Sequence, residues 1–277
     1  MIAEFIITFR ETLEAALIIG IILSYLYRTK QSKYNSVVYI GIVFGILASI
    51  IGAFLFNILS GGFEGRAEQI FEGVTMLVGA ILLTTMILWM MKQKHITKEL
   101  EQKISLKVDN AERIGLFLIV FISILREGIE TVIFLSAASF VSINSTMFGA
   151  IAGFLAAIFL GYAVFVGSMK INLKKFFNIT GILLILFAAG LIAHGVHELQ
   201  EASIIPILIE HVWDINPPVN TDGTYPMLHE KGYIGSILRG LFGYNGDPSL
   251  IEVLSYLIYI IVVIFLWKNI EKVHKVI

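Results

Sequence analysis

Two short charged motifs sit where charge is least tolerated. Leu125-Arg126-Glu127-Gly128-Ile129-Glu130 lies inside an apolar run from about Ile114 to Val141. Arg10-Glu11-Thr12-Leu13-Glu14 lies inside the run Ile2–Tyr27. Runs of this length read as membrane-spanning helices. A charged side chain near the bilayer centre costs about 2.5–3.5 kcal/mol on insertion scales, so charges retained there are functional candidates.

On a helix, positions three apart lie about 60° apart, and positions four apart about 40°. Glu11 and Glu14 therefore share a face, as do Glu127 and Glu130, while Arg10 can reach Glu14 and Arg126 can reach Glu130. One reading is a salt-bridge lock between helices. Such a lock needs balanced charge, and each motif has one acid too many. The spare carboxylates call for a cation or a proton.

The rest of the composition fits a polytopic, all-α membrane protein. Of 277 residues, 57% are hydrophobic and 15% charged. Cysteine is absent, which excludes disulfides, iron–sulfur clusters and thiolate metal sites. The first residues, Met1-Ile2-Ala3-Glu4, lack a basic stretch, so the first apolar run reads as a retained span. The pattern predicts seven transmembrane helices, at roughly 2–27, 37–59, 68–91, 114–141, 147–168, 177–197 and 250–267.

Of the 20 Lys and Arg, 15 fall in segments 28–36, 92–113, 169–176 and 268–277, and only Arg66, Lys231 and Arg239 fall on the other side. The positive-inside rule then puts the N-terminus outside and the C-terminus in the cytoplasm. Twelve of the 21 acids fall on the outer side, and that bias is not required by the rule. An acidic mouth concentrates cations.

Spans 1–3 and 4–6 look alike. Each trio opens with R-E-x-x-E, and the second span of each has small residues every four positions: Gly41, Gly45, Ser49 and Gly149, Gly153, Ala157. That spacing lets backbones approach. A three-span repeat runs in opposite directions in its two copies, the arrangement of alternating-access transporters. The expected organisation is a first three-helix repeat over 1–91 and a cytoplasmic linker over 92–113. A second repeat follows over 114–201, then an extracytoplasmic segment over 202–249 and a seventh helix with a cytoplasmic tail over 250–277.

Two clusters mark outer helix ends. Glu68 and Glu72 open span 3, and His194, His197, Glu198 and Glu201 close span 6. They read either as a relay or first capture point for a metal cation, or as solvated helix ends. Segment 202–249 holds all five prolines. Within it Ile204–Trp213 and Tyr233–Phe242 are expected to be short amphipathic interfacial helices. The segment either docks an extracytoplasmic partner or passively covers the mouth.

The two motifs, the His197-Glu198-Leu199-Gln200-Glu201 end of span 6 and the seven spans together resemble the oxidase-dependent iron permeases, which include the fungal high-affinity iron permease and bacterial ferrous or ferric relatives. The resemblance covers nearly the whole chain. The family commonly has Gly-Leu inside the motif; here the pairs are Thr12-Leu13 and Gly128-Ile129. The resemblance implies iron uptake across the cytoplasmic membrane, bacterial by the relatives. It makes Glu11, Glu14, Glu127 and Glu130 the metal ligands, with Arg10 and Arg126 orienting them. Iron would be the transported substrate, with no permanently bound cofactor. The partners implied are the lipid bilayer and an extracytoplasmic iron-binding or iron-oxidising protein, with no nucleic acid.

Carboxylates suit hard cations. No G-x-x-x-x-G-K-[ST] is present, so ATP use in this chain is not expected. The alternative is a proton-coupled transporter of another metal cation, such as lead or manganese. An enzyme would need a nucleophile or cofactor motif that is missing, and a receptor would not need four buried acids.

Overall fold

Long apolar runs with few proline or glycine breaks become helices in this chain. A computed structural model describes residues 2–92, 113–141, 147–165 and 173–276, and no strand occurs among them. Nearly all of the expected linker 92–113 lies outside the described residues.

The helices are α1 (Ile2–Arg28), α2 (Asn35–Ser60), α3 (Arg66–Lys92), α4 (Arg113–Val141), α5 (Met147–Phe165), α6 (Leu173–Glu201), α7 (Tyr233–Phe242) and α8 (Leu250–Val276), with a short 3-10 turn at Ser32–Tyr34. Among the described residues, four helices are long and apolar enough to cross a membrane: α2, α3, α6 and α8. α1 and α4 are as long, at 27 and 29 residues, but carry the motif charges. The apolar stretch of α5, Met147–Ala163, is shorter.

Chain neighbours are not the main packing partners. α1 packs chiefly on α5, α2 on α4, and α3 on α6, so the two halves of the chain interleave. α8 lies against α6 and α3, and the Tyr259 and Thr84 hydroxyls meet at 2.5 Å. α2 buries only Val38, Gly41 and Gly45. Its remaining apolar side chains, such as Phe44, Leu47, Ile51 and Phe54, face outward. An outward apolar face of this extent suits lipid rather than water.

Among the described residues two apolar clusters hold the bundle. One joins Ala3 and Ile7 of α1 to Phe134, Ala137 and Ala138 of α4 and to residues of α3 and α6. The other joins Ile22 and Leu26 of α1 to Val38 of α2 and Leu116, Val120 and Ile124 of α4. The motif residues of α1 and α4 fall at the seam between the clusters, where each helix changes partners.

The segment after α6 corrects one expectation. Tyr233–Phe242 is a helix, but Ile204–Trp213 is not. Ser203 has a positive φ of 57°, and the amides of Ile204 and Ile205 both donate to the Leu199 carbonyl, which closes α6. Pro206 then offers no amide and biases Ile205 away from helix. The chain continues extended against the approach to α8: Val212 N donates to Pro248 O at 3.0 Å, Ile215 N to Gly246 O at 2.9 Å, and Leu250 N to Ile209 O at 3.0 Å. α7 ends at Gly243, whose left-handed φ of 69° turns the chain tightly against Gly190 of α6.

Candidate cation site

The i,i+4 spacing of the motifs is realised in both copies. Arg10 Nε lies 3.0 Å from Glu14 Oε1, and Arg126 Nε donates to Glu130 Oε1 at 2.7 Å. The crossing of α1 and α4 then brings the copies together. Glu11, Glu14 and Glu127 each offer a carboxylate oxygen within 4.8 Å of the other two. All three residues are buried, and Glu11 is only 1% exposed. Glu130 stands just outside this trio, held by Arg126.

Two backbone approaches make the crossings possible. Gly128, next to Glu127, lies so close to α2 that a methyl group there would overlap the Ser49 side chain. Gly153 of α5 lies as tightly on Thr8 and the Phe5 carbonyl of α1. There the Thr8 hydroxyl donates to Ala150 O at 2.9 Å, tying α5 to the helix that carries Glu11 and Glu14.

The trio is poorly neutralised from within. Among the described residues neither Glu11 oxygen has a hydrogen-bond donor, and one buried oxygen each of Glu127 and Glu130 also lacks one, while Glu14 Oε1 faces only the Arg10 guanidinium. Three carboxylates face one fully buried guanidinium, Arg10, which leaves two negative charges in excess when all are ionised. Buried carboxylates without donors are costly. A cation would remove both deficits at once. With metal–oxygen bonds of about 2.1 Å, three oxygens spaced evenly around one ion stand about 3.6 Å apart, so a trio within 4.8 Å must close by up to roughly 1 Å to share it.

The two outer clusters expected from the sequence meet in space. Arg66 Nε donates to Ala202 O and Gln69 Nε2 to Glu201 Oε2, both at 2.9 Å, joining the start of α3 to the end of α6. Glu72 is within electrostatic reach of Glu68, Glu198 and Glu201. His197 bridges two acids, with Nε2 3.2 Å from Glu201 and Nδ1 3.1 Å from Glu252. His194 does not join this face. It is buried, and its Nδ1–H donates to the Gly190 carbonyl at 3.0 Å.

Glu252 was legible only as one more outer acid, yet it is 3% exposed and holds the junction of α6 and α8. It accepts from Asn245 Nδ2 at 2.8 Å and from Ser249 N at 3.1 Å, while its own amide donates to Ser249 Oγ at 3.3 Å. This is a reciprocal helix-capping pair, and Ser-x-x-Glu before an apolar run is its sequence signal. Met90 and Trp89, which touch the motif arginines, carried no such signal.

The whole chain has recognisable relatives. Residues 1–274 match the iron permease FTR1 family. A protein of Yersinia pestis named ferrous iron permease EfeU is 34% identical over 276 residues, covering 96% of this chain and 93% of that protein. Proteins of the same name are 35% identical in Yersinia pseudotuberculosis, over 95% of this chain and 90% of that one. In Escherichia coli O6:K15:H31 the identity is 32%, over 94% and 93%. No solved structure matches the chain.

Proposed function

The chain belongs to the iron permease FTR1 family, and on that premise we propose that it moves iron inward through one central site built from both R-E-x-x-E motifs. The observation that carries this reading is the convergence of Glu11 and Glu14 from one half of the chain with Glu127 from the other. Glu130 joins them as a ligand once a cation is present. Arg10 and Arg126 hold Glu14 and Glu130 in place before it arrives and offset part of the carboxylates' mutual repulsion.

The site belongs to a seven-span, cytoplasmic-membrane protein of bacterial type, with its N-terminus outside, its C-terminus inside and two inverted three-helix repeats. The packing supports the repeat. Aligning Arg10 with Arg126 sets Phe5 on Phe121 and Thr8 on Ile124. Gly45 of α2 rests on Ile124 and the Phe121 carbonyl; Gly153 of α5 rests on Thr8 and the Phe5 carbonyl. Two crossings related in this way are what an in-plane pseudo-two-fold axis requires, and such an axis underlies alternating access.

The joined outer cluster of Glu68, Glu72, His197, Glu198 and Glu201 acts as the first capture point, with His194 behind it. Segment 202–249 receives iron from an extracytoplasmic iron-binding or iron-oxidising protein. An inward trivalent ion gains about 7 kcal/mol per 100 mV of membrane potential, at roughly 2.3 per charge, so the potential suffices as a driving force without ATP.

The test is uptake of labelled iron into proteoliposomes, with Fe2+ and Fe3+ offered separately and the potential imposed or abolished. The expected result is saturable iron accumulation that grows with an inside-negative potential. Competition by Mn2+ and Pb2+ measures selectivity. Accumulation of Mn2+ or Pb2+ in preference to iron would replace iron by another cation as the substrate.

A further inference from the structure

The two motif arginines are not equivalent. Arg10 is 1% exposed, and its Nη2 donates to Met90 Sδ at 2.9 Å. The Arg126 side chain is 45% exposed, and its guanidinium carbon stands 5.2 Å from the centre of the Trp89 ring. Trp89 and Met90 are consecutive on α3. A third helix, which contributes no carboxylate to the site, thus touches both arginines near one end.

Arg10 is wedged, while Arg126 has room to move. It lies within electrostatic reach of Glu130, Glu127 and Glu14. Its charge attracts all three carboxylates, so it competes with whatever cation the site takes. In the structure it is paired with Glu130 and lies against an aromatic ring at a distance where a ring quadrupole attracts a cation.

We propose that Trp89 is a positioning residue that seats Arg126 beside the site, so that an incoming cation can take Glu130 without Arg126 moving onto Glu127 or Glu14. When the cation binds, Glu130 turns from Arg126 to the metal. The freed guanidinium keeps its attraction to the indole face and stays out of the trio. Without that face the long side chain falls back on the nearest unshared carboxylate and raises the cost of loading the ion. Leucine at position 89 keeps an apolar side chain but loses the ring; phenylalanine keeps a ring.

This inference rests on the proposed iron site, and the experiment separates the two. Equilibrium binding of labelled Fe2+ is measured anaerobically on purified full-length protein, alongside uptake as a function of iron concentration, for wild type, Trp89→Leu, Trp89→Met, Trp89→Phe and Trp89→Tyr. Loss of a cation–π contact near a partly open site is expected to weaken binding by about tenfold in the Leu and Met variants. Their maximal uptake rate should change much less, and Phe and Tyr should restore most of the affinity. If wild type fails to bind iron, the site itself is wrong. If wild type binds and the Leu and Met variants bind equally well, Trp89 does not seat Arg126. If all four variants lose affinity alike, or lose maximal rate without affinity, Trp89 is only a packing residue.

Discussion

Gly128 on α4 presses its α-carbon against the side chain of Ser49 on α2, one residue from the Glu127 carboxylate that faces α1. The contact has no room for a methyl group. Helix separation here therefore controls where Glu127 stands relative to Glu11 and Glu14.

Gly128→Ala should force α2 and α4 apart at a cost of about 1–3 kcal/mol, the usual penalty of overpacking. Iron uptake should fall with thermal stability in detergent. Ser49→Gly in the same chain should restore both, because the remaining neighbour, the Ser49 α-carbon, is an ordinary 3.7 Å away. A double variant no better than Gly128→Ala would mean that the damage is local to α4.

The topology can be read with single cysteines in this cysteine-free chain. Ser60→Cys, at the end of α2, should react in intact cells with an impermeant thiol reagent. Ser105→Cys, in the basic linker outside the described residues, should react only after the membrane is opened. The reverse pattern would invert the proposed orientation.

At the outer cluster, Glu201 is engaged by Gln69 and His197, whereas no side-chain hydrogen bond is seen at Glu198 among the described residues. Glu198→Gln should raise the iron concentration for half-maximal uptake several-fold and leave the maximal rate nearly intact, since it removes charge from the mouth and not from the site. Glu201→Gln should do the same and also loosen α3 from α6, measured as a lower melting temperature. Unchanged half-saturation in both variants would reduce the cluster to solvated helix ends.

A pH effect is expected in the extended segment that follows α6. The exposed His211 ring lies 2.6 Å from Asp247, and that hydrogen bond raises its pKa above the ordinary histidine value. A raised folded-state pKa contributes stability that is fully present below the unfolded pKa, about 6.5, and lost as pH rises through the folded value. Protease nicking within 204–216 should therefore increase toward alkaline pH. In Asp247→Asn that dependence should flatten, and the His211 titration seen by NMR should move down. An unchanged titration would show that the pair is not formed.

Much of this architecture is readable in the sequence. Apolar runs bounded by lysines and glycines place α1 to α6 within about four residues, and α8 starts at 250 as expected but continues to Val276, nine residues past the expected 267. The spacing of Arg10 to Glu14 and of Arg126 to Glu130 predicts their pairing. Helical spacing cannot say which helix lies against which. That α1 meets α5 and α2 meets α4 depends on glycines opposed across the bundle, a relation between distant positions. Ile204–Trp213 misleads because its apolar pattern suits a helix, while Pro206 and the extended pairing with 246–250 decide otherwise. The meeting of Glu68 and Glu72 with Glu198 and Glu201 likewise emerges only when α3 packs on α6.

If the two motifs make one site, substitutions in them must not add. Residues that act as a unit have strongly non-additive effects. The deciding measurement is initial iron uptake into proteoliposomes by Glu14→Gln, Glu127→Gln and the double variant, at equal reconstituted amounts. A single site predicts that each single substitution abolishes uptake almost as fully as both together. Two single variants that each keep about half the activity, with the remainder lost only in the double, would contradict it and make the motifs independent sites.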